Sequence, residues 1–237
     1  MKRYFEVRSG TAPIYADPNF DSQCVNEALK GEFCKIISTK NDWLKIILDD
    51  GYKGWTHQFY GKKENIKKTY PFKIIYPFKD NLFRPDYPFG SYVDKRINGA
   101  VDINSSFSSD DLNIILKNLL DIPYKWGGRS SLGFDCSGLV QSVLNSLGYN
   151  IPRDSCDQFK FFMDYKIDIK DAQYGDLHFF GKRGKVNHVA FSSGGTGIIH
   201  SQGYVKKETL DVKNKYFNKR LLDNYLSTHS IRLKFEK

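Results

Sequence analysis

The chain has 237 residues, enough to bury a core without disulfide staples, and it is 40% hydrophobic, 27% charged and 15% aromatic, which excludes an intrinsically disordered chain. No apolar run approaches the ~20 residues that cross a bilayer as a helix, so no membrane insertion is expected. Lys and Arg outnumber Asp and Glu by 36 to 27, and the net charge of +9 fits a nucleic acid, an anionic polymer, an acidic small substrate or solubility alone.

The first residues, Met1 to Arg8, are basic, but Glu6 and Arg8 interrupt any apolar stretch of signal-peptide type. The chain as it stands is therefore expected in the cytoplasm, although a chain relieved of a leader would read the same. Cys24, Cys34, Cys136 and Cys156 contain no C-x-x-C pair, and reduced thiols are expected.

Residues 1–60 predict short strands. Ala12 to Tyr15 is extended, Asp17-Pro18-Asn19 is a turn, and Phe33 to Ile37 and Trp43 to Leu48 are β-rich runs. Asp49-Asp50-Gly51 signals a hairpin, with Tyr52 to Thr56 as the following strand. This spacing suits a small barrel. Gly61 to Lys68, with Lys62, Lys63, Lys67 and Lys68, predicts a basic linker, and residues 70–105 predict irregular β structure or a degenerate second barrel. Ser108 or Ser109 can cap a helix running to about Leu120, with Leu112, Ile115, Leu116 and Leu119 on one face.

The chemistry begins at Phe134-Asp135-Cys136-Ser137-Gly138. Leu139, Val140, Val143, Leu144 and Leu147 recur at helical spacing, and Gly148 can end that helix. Cys136 then sits at a helix N-terminus, where the dipole favours the nucleophilic thiolate. Downstream, Asn187 to Phe191 and Ile198 to Ser201 predict adjacent strands around a Ser193-Gly194-Gly195-Thr196-Gly197 turn. They bring His188 and His200 side by side, one able to take the thiol proton and the other to orient its ring.

Five blocks in order carry a resemblance: Tyr124-Lys125-Trp126-Gly127-Gly128, Asp135 to Leu139, Gly175 to Phe180, Asn187 to Ala190, and Ile198 to Ser201. Together they resemble the NlpC family of papain-like cysteine peptidases. Ala12 to Tyr15, Leu29 to Glu32, Asp42 to Ile46 and Asp50 to Trp55 resemble a bacterial SH3-like domain. The fold so implied is α+β: a papain-like catalytic domain, with helices packed on an antiparallel sheet, preceded by a small all-β SH3-like barrel. The expected boundaries are 1–60 for the barrel, 61–105 for the linker and irregular segment, and 106–237 for the peptidase domain.

The resemblance implies Cys136 as nucleophile, His188 as general base and His200 as the residue orienting His188. It implies cleavage of the γ-D-glutamyl-diaminopimelate or -lysine bond of peptidoglycan stem peptides with a free amino-terminal L-Ala. Asp135, Ser137 and Ser155 match substrate-recognising positions, and the matching barrel tyrosine is Tyr52 or Tyr60. The capping or turn role open to any Asp or Ser remains the alternative for Asp135 and Ser155. A side chain near Tyr124 is implied as an oxyanion donor beside the Cys136 amide.

His178 stands at a usually apolar position of the family, with a place at the barrel surface or domain junction expected for it and no catalytic role. The partners implied are peptidoglycan-derived peptides, with no cofactor, no metal, no nucleic acid and no obligate protein partner. Four alternatives remain open: a non-catalytic wall-binding protein, an amidase or acyltransferase using the same thioester chemistry, a zinc site built from Cys136, His178, His188 and His200, and nucleic-acid binding through the basic linker. The +9 charge then suits steering of an acidic peptide, with its cations concentrated in 61–73 and 206–220.

Overall fold

The structure, a computed structural model, describes residues 3–235. The chain divides into two compact units, Met1–Ser105 with Lys125–Gly133, and Ser106–Tyr124 with Phe134–Lys237.

The first unit is built on seven antiparallel strands: β1 (Tyr4–Val7), β2 (Thr11–Tyr15), β3 (Cys24–Leu29), β4 (Phe33–Lys40), β5 (Trp43–Ile47), β6 (Lys53–His57) and β7 (Gly61–Glu64). They form one sheet in the order β3-β2-β6-β5-β4-β1-β7. Alternation does the sorting: Ala12 and Ile14 of β2, Leu44 and Ile46 of β5, and Phe5 and Val7 of β1 turn inward to one apolar core. Gly51 takes a φ of +84° in the turn between β5 and β6, where the sequence signals a hairpin.

Two expectations for this part of the chain change. The predicted linker opens as a strand, since β7 pairs with β1 from Val7↔Gly61 to Tyr4↔Glu64. Ladder bonds come from the backbone and need no apolar side chains, and lysines at 62 and 63 suit a strand at the sheet edge. Residues 70–105 carry their own three-stranded sheet, ordered β10-β8-β9, of β8 (Phe72–Ile74), β9 (Tyr92–Val93) and β10 (Ala100–Asp102). Its core is Ile74, Phe78, Val93 and Ala100.

A further change concerns residues 125–133, expected within the peptidase domain and found in the first unit. This segment carries β11 (Arg129–Ser130). Two carboxylates account for its position. The Arg129 guanidinium pairs with Glu32, its Nε donates to the Glu27 carbonyl at 2.6 Å, and Lys125 pairs with the fully buried Glu27 carboxylate. The Phe89 amide donates to Ser131 Oγ at 2.9 Å.

The second unit opens with α1 (Ser109–Asn118), capped reciprocally by Ser108 and Asp111, with Leu112, Ile115 and Leu116 buried. After β12 (Gly133–Phe134) come α2 (Cys136–Ser146) and α3 (Ser155–Phe162). A six-stranded antiparallel sheet follows, ordered β13-β18-β14-β15-β16-β17. Its strands are β13 (Lys166–Ile167), β14 (Leu177–Lys182), β15 (Lys185–Gly194), β16 (Gly197–Gln202), β17 (Tyr204–Thr209) and β18 (Tyr225–His229), with α4 (Lys219–Leu222) between the last two. β15 and β16, which carry the two candidate histidines, lie side by side within it.

Candidate active site

Cys136 is the first residue of α2, and four of its helix neighbours, Leu139, Val140, Val143 and Leu144, are fully buried. That apolar face pins the helix, and Asp135 caps it by accepting from the Gly138 amide at 2.6 Å. The Asp135 carboxylate is itself gripped from behind. Arg153, almost wholly buried, reaches it with Nη1 at 3.0 Å and Nη2 at 2.5 Å, and Nη1 also donates to Ser137 Oγ at 2.9 Å. Gln158 of α3 donates to the Ser137 carbonyl at 3.0 Å and to the Pro152 carbonyl at 2.9 Å. A buried ion pair thus flanks Cys136.

Burial and the Asp135 charge work against the expected thiolate. Burial, and then the Asp135 charge, push Cys136 up to about 11, while the Val189 amide, Arg153 and the Ser137 amide pull the other way. The helix terminus alone favours a thiolate, but burial outweighs it here. The free site therefore holds a neutral thiol.

The sulfur meets the backbone amide of Val189, the residue after His188. His188 and His200 share a face of the sheet: Phe191 pairs with Ile199, and each histidine lies an odd number of residues from its strand's paired position. Their rings stand nearly perpendicular, 5.1 Å apart, with His188 Nε2 at 2.9 Å from His200 Nδ1. His188 Nδ1 is left without a hydrogen bond among the described residues. Burial, and then the neighbouring His200, lower His188 to about 3, so it is a neutral imidazole able to accept a proton. One further bond ties the two halves together. Ser201, next to His200, donates to the Phe134 carbonyl at 2.7 Å, two residues before Cys136.

A cysteine at a helix start, its sulfur against the amide that follows His188, and a second histidine bonded to His188 form the constellation expected of a cysteine peptidase. Comparison with known proteins agrees. The NlpC/P60 family model matches residues 121–225, and that of the bacterial dipeptidyl-peptidase SH3 domain matches residues 14–57. The chain carries an NlpC/P60 domain.

Among its relatives, a gamma-D-glutamyl-L-lysine dipeptidyl-peptidase of Bacillus subtilis is 27% identical over 85% of this chain and 80% of its own length. One of the same name from Bacillus cereus is 30% identical over 74% of this chain and 66% of its own. The crystal structure of an NlpC/P60 family protein from Bacillus cereus shares the fold at a TM-score of 0.75 and 20% identity, covering 96% of this chain and 99% of that one. The α+β reading with an amino-terminal SH3-like barrel accordingly holds.

The other candidate residues of this NlpC/P60 chain fall into distinct surroundings. Ser155, the first residue of α3, is half-buried, and its hydroxyl has no hydrogen-bond partner among the described residues. Ser137 Oγ is taken up by Asp135 and Arg153 instead of standing open. Tyr124, whose amide donates to the Gly203 carbonyl at 2.8 Å, is pushed up to about 12 by burial and then by the charges of Cys136 and Asp135, so its hydroxyl stays a donor. Tyr52 and Tyr60 belong to the first unit, both half-buried against its core.

His178 is not at a surface. It is fully buried in β14, 2.8 Å from Thr228 Oγ1, and burial lowers it to about 4. Its Nδ1 is taken by Thr228, and no group of three or more His, Cys, Asp or Glu placed to hold a metal ion is found among the described residues. The residue that sequence reasoning missed is Glu208 of β17. Its Oε2 lies 2.9 Å from His200 Nε2, on the side opposite His188.

Proposed function

We propose that this protein is a cysteine endopeptidase that hydrolyses the γ-D-glutamyl-diamino acid bond of peptidoglycan stem peptides, acting on fragments with a free amino-terminal L-Ala. The observation that carries the reading is the hydrogen-bonded His188–His200 pair on β15 and β16, with the neighbouring Val189 amide against the Cys136 sulfur. The names of the two Bacillus relatives support the bond class.

The neutral resting pair dictates the first step. Cys136 Sγ attacks the γ-carbonyl carbon of D-glutamate as His188 Nδ1 takes the thiol proton, so charge appears only in the transition state. The Cys136 amide at the first helical position has no helical acceptor, and with the Tyr124 hydroxyl it stabilises the oxyanion. Collapse breaks the C–N bond, and His188 returns the proton to the leaving amine of the diamino acid. Water, deprotonated by His188, then cleaves the thioester and frees L-Ala-D-Glu and the thiol. In this reading Asp135, held by Arg153, receives the substrate ammonium by a charge-assisted hydrogen bond, and the open hydroxyl of Ser155 adds a second contact.

The test is incubation with L-Ala-γ-D-Glu-L-Lys and its diaminopimelate counterpart, each free and N-acetylated, with products read by mass spectrometry. Wild type should release L-Ala-D-Glu from the free peptides, and Cys136→Ala should release none. Equal activity of Cys136→Ala, or no release by wild type, would overturn the reading.

A further inference from the structure

The two histidines are joined through ring nitrogens, and such a bond can run in either direction. If His200 donated from Nδ1, His188 Nε2 would be the acceptor and the proton of a neutral His188 would sit on Nδ1, where the thiol proton must go. The base would be blocked. The direction of one hydrogen bond therefore decides whether the site works.

The structure holds a group that sets this direction. Glu208 Oε2 lies 2.9 Å from His200 Nε2. Asn218 Nδ2 donates to the same oxygen at 2.6 Å, and Lys206 Nζ is 3.1 Å from Oε1. Asn218 is itself oriented, since its Oδ1 accepts from the Leu221 amide at 3.0 Å at the start of α4, which turns its NH₂ toward Glu208.

We propose that Glu208 is a positioning residue that fixes the tautomers of His200 and His188 in turn, leaving Nδ1 of His188 bare to receive the thiol proton. An ionised carboxylate can only accept, so His200 Nε2 carries the hydrogen and its Nδ1 is the acceptor. His188 Nε2 must then donate, and Nδ1 is the lone pair that remains. The His200 bond, helped by Asn218 and Lys206, holds the Glu208 carboxyl down at about 2 against the opposing effect of burial, so it stays ionised at working pH. When His188 becomes charged during attack, the same carboxylate lies one ring behind it.

The inference rests on the peptidase reading for its kinetic consequence, but not for its tautomeric one. The experiment uses full-length protein with ¹⁵N-labelled histidine and long-range ¹H–¹⁵N spectra. Wild type should show Nε2–H tautomers at both His188 and His200. Glu208→Ala should give a mixture at His200, with kcat on the tripeptide down about 10- to 100-fold and KM within about threefold, the range for removal of an outer partner of a catalytic group.

Glu208→Asp should restore part of kcat. Glu208 is among the residues lining a cavity of about 310 Å³, with Lys207, Thr209 and Tyr216, so added formate should also rescue Glu208→Ala. Glu208→Gln, which keeps the shape and can still accept from His200, is the control if the alanine variant unfolds, and it should lose less. Unchanged tautomers, or kcat within twofold of wild type in a folded Glu208→Ala, would overturn the proposal. If wild type cleaves no tripeptide, the peptidase reading falls, and the tautomer shift alone decides the role of Glu208.

Discussion

Arg153→Met removes one half of the ion pair beside Cys136 and leaves the other half stranded. The Arg153 side chain is 2% exposed and Asp135 11%, so neither charge is well solvated. Two bonds to Asp135 and one to Ser137 Oγ vanish together. Breaking a buried pair by deleting one partner costs about 3–5 kcal/mol. At about 2–4 °C per kcal/mol for a chain of this size, the melting temperature should fall by about 6–20 °C. Adding Asp135→Asn should recover much of the loss, because the stranded charge is then gone.

The thiol offers a second readout. The Arg153 cation favours the thiolate, so its removal should raise the Cys136 pKa further and slow alkylation by iodoacetamide at fixed pH. Circular dichroism melts and alkylation rates of the two single variants and the double variant complete the measurement. A melting temperature within about 2 °C of wild type for Arg153→Met, or faster alkylation in that variant, would refute the reasoning.

Asp135→Asn should have opposite effects on two assays: faster alkylation, because a charge that raises the thiol pKa is lost, and slower turnover of the free-amine tripeptide, because the proposed receptor for its ammonium is lost. In wild type, the alkylation rate at Cys136 should climb about tenfold per pH unit from pH 7 toward 10, since a thiol near 11 yields thiolate only as pH rises; a plateau below pH 8 would contradict this. The same neutral site predicts that kcat/KM shows no acid limb above about pH 5, because His188 near 3 stays unprotonated there, and a stopped assay across pH 4–7 checks it. Lys73, buried in the first unit, is lowered to about 7, so between pH 7 and its ordinary 10.5 the unfolded chain binds the extra proton and stability rises with pH. Melting temperatures should therefore rise more from pH 7 to 8.5 in wild type than in Lys73→Met.

Local patterns carried much of this fold. The periodicities around Leu112 to Leu119 and Leu139 to Leu144 mark helices because their apolar faces are continuous in sequence, and the strands at Ala12 to Tyr15 and Trp43 to Leu48 alternate because one face is buried. Cys136, His188 and His200 stand out as a candidate set from their order and flanking residues, and the structure joins the two histidines and puts Cys136 at a helix start. What escaped depends on partners far away. β7 is a strand only because β1 lies beside it, and the segment around Arg129 is held by Glu27 and Glu32, about a hundred residues upstream.

Glu208 hid in a run of lysines that reads as solvated charge, and only the adjacency of β16 and β17 gives it meaning. The basic surplus changes in the same way. Lys62, Lys67 and Lys206 each pair with an acid of their own unit, so these cations are partly neutralised within the fold.

His188, His200 and Glu208 sit on three consecutive strands, each displaced diagonally from the next on one face of the sheet. Between β16 and β17 the link is a single residue, Gly203, at a φ of +76° that other side chains adopt with strain, bridging the pair Gln202↔Tyr204. Side chains alternate faces with every residue, so a one-residue slip of β17 along β16 would leave a well-formed ladder and send Glu208 to the wrong side. Two strands can thus pair without a flaw and still present the wrong residues, so the face that carries His188, His200 and Glu208 depends on which residues stand opposite one another as much as on residue identity.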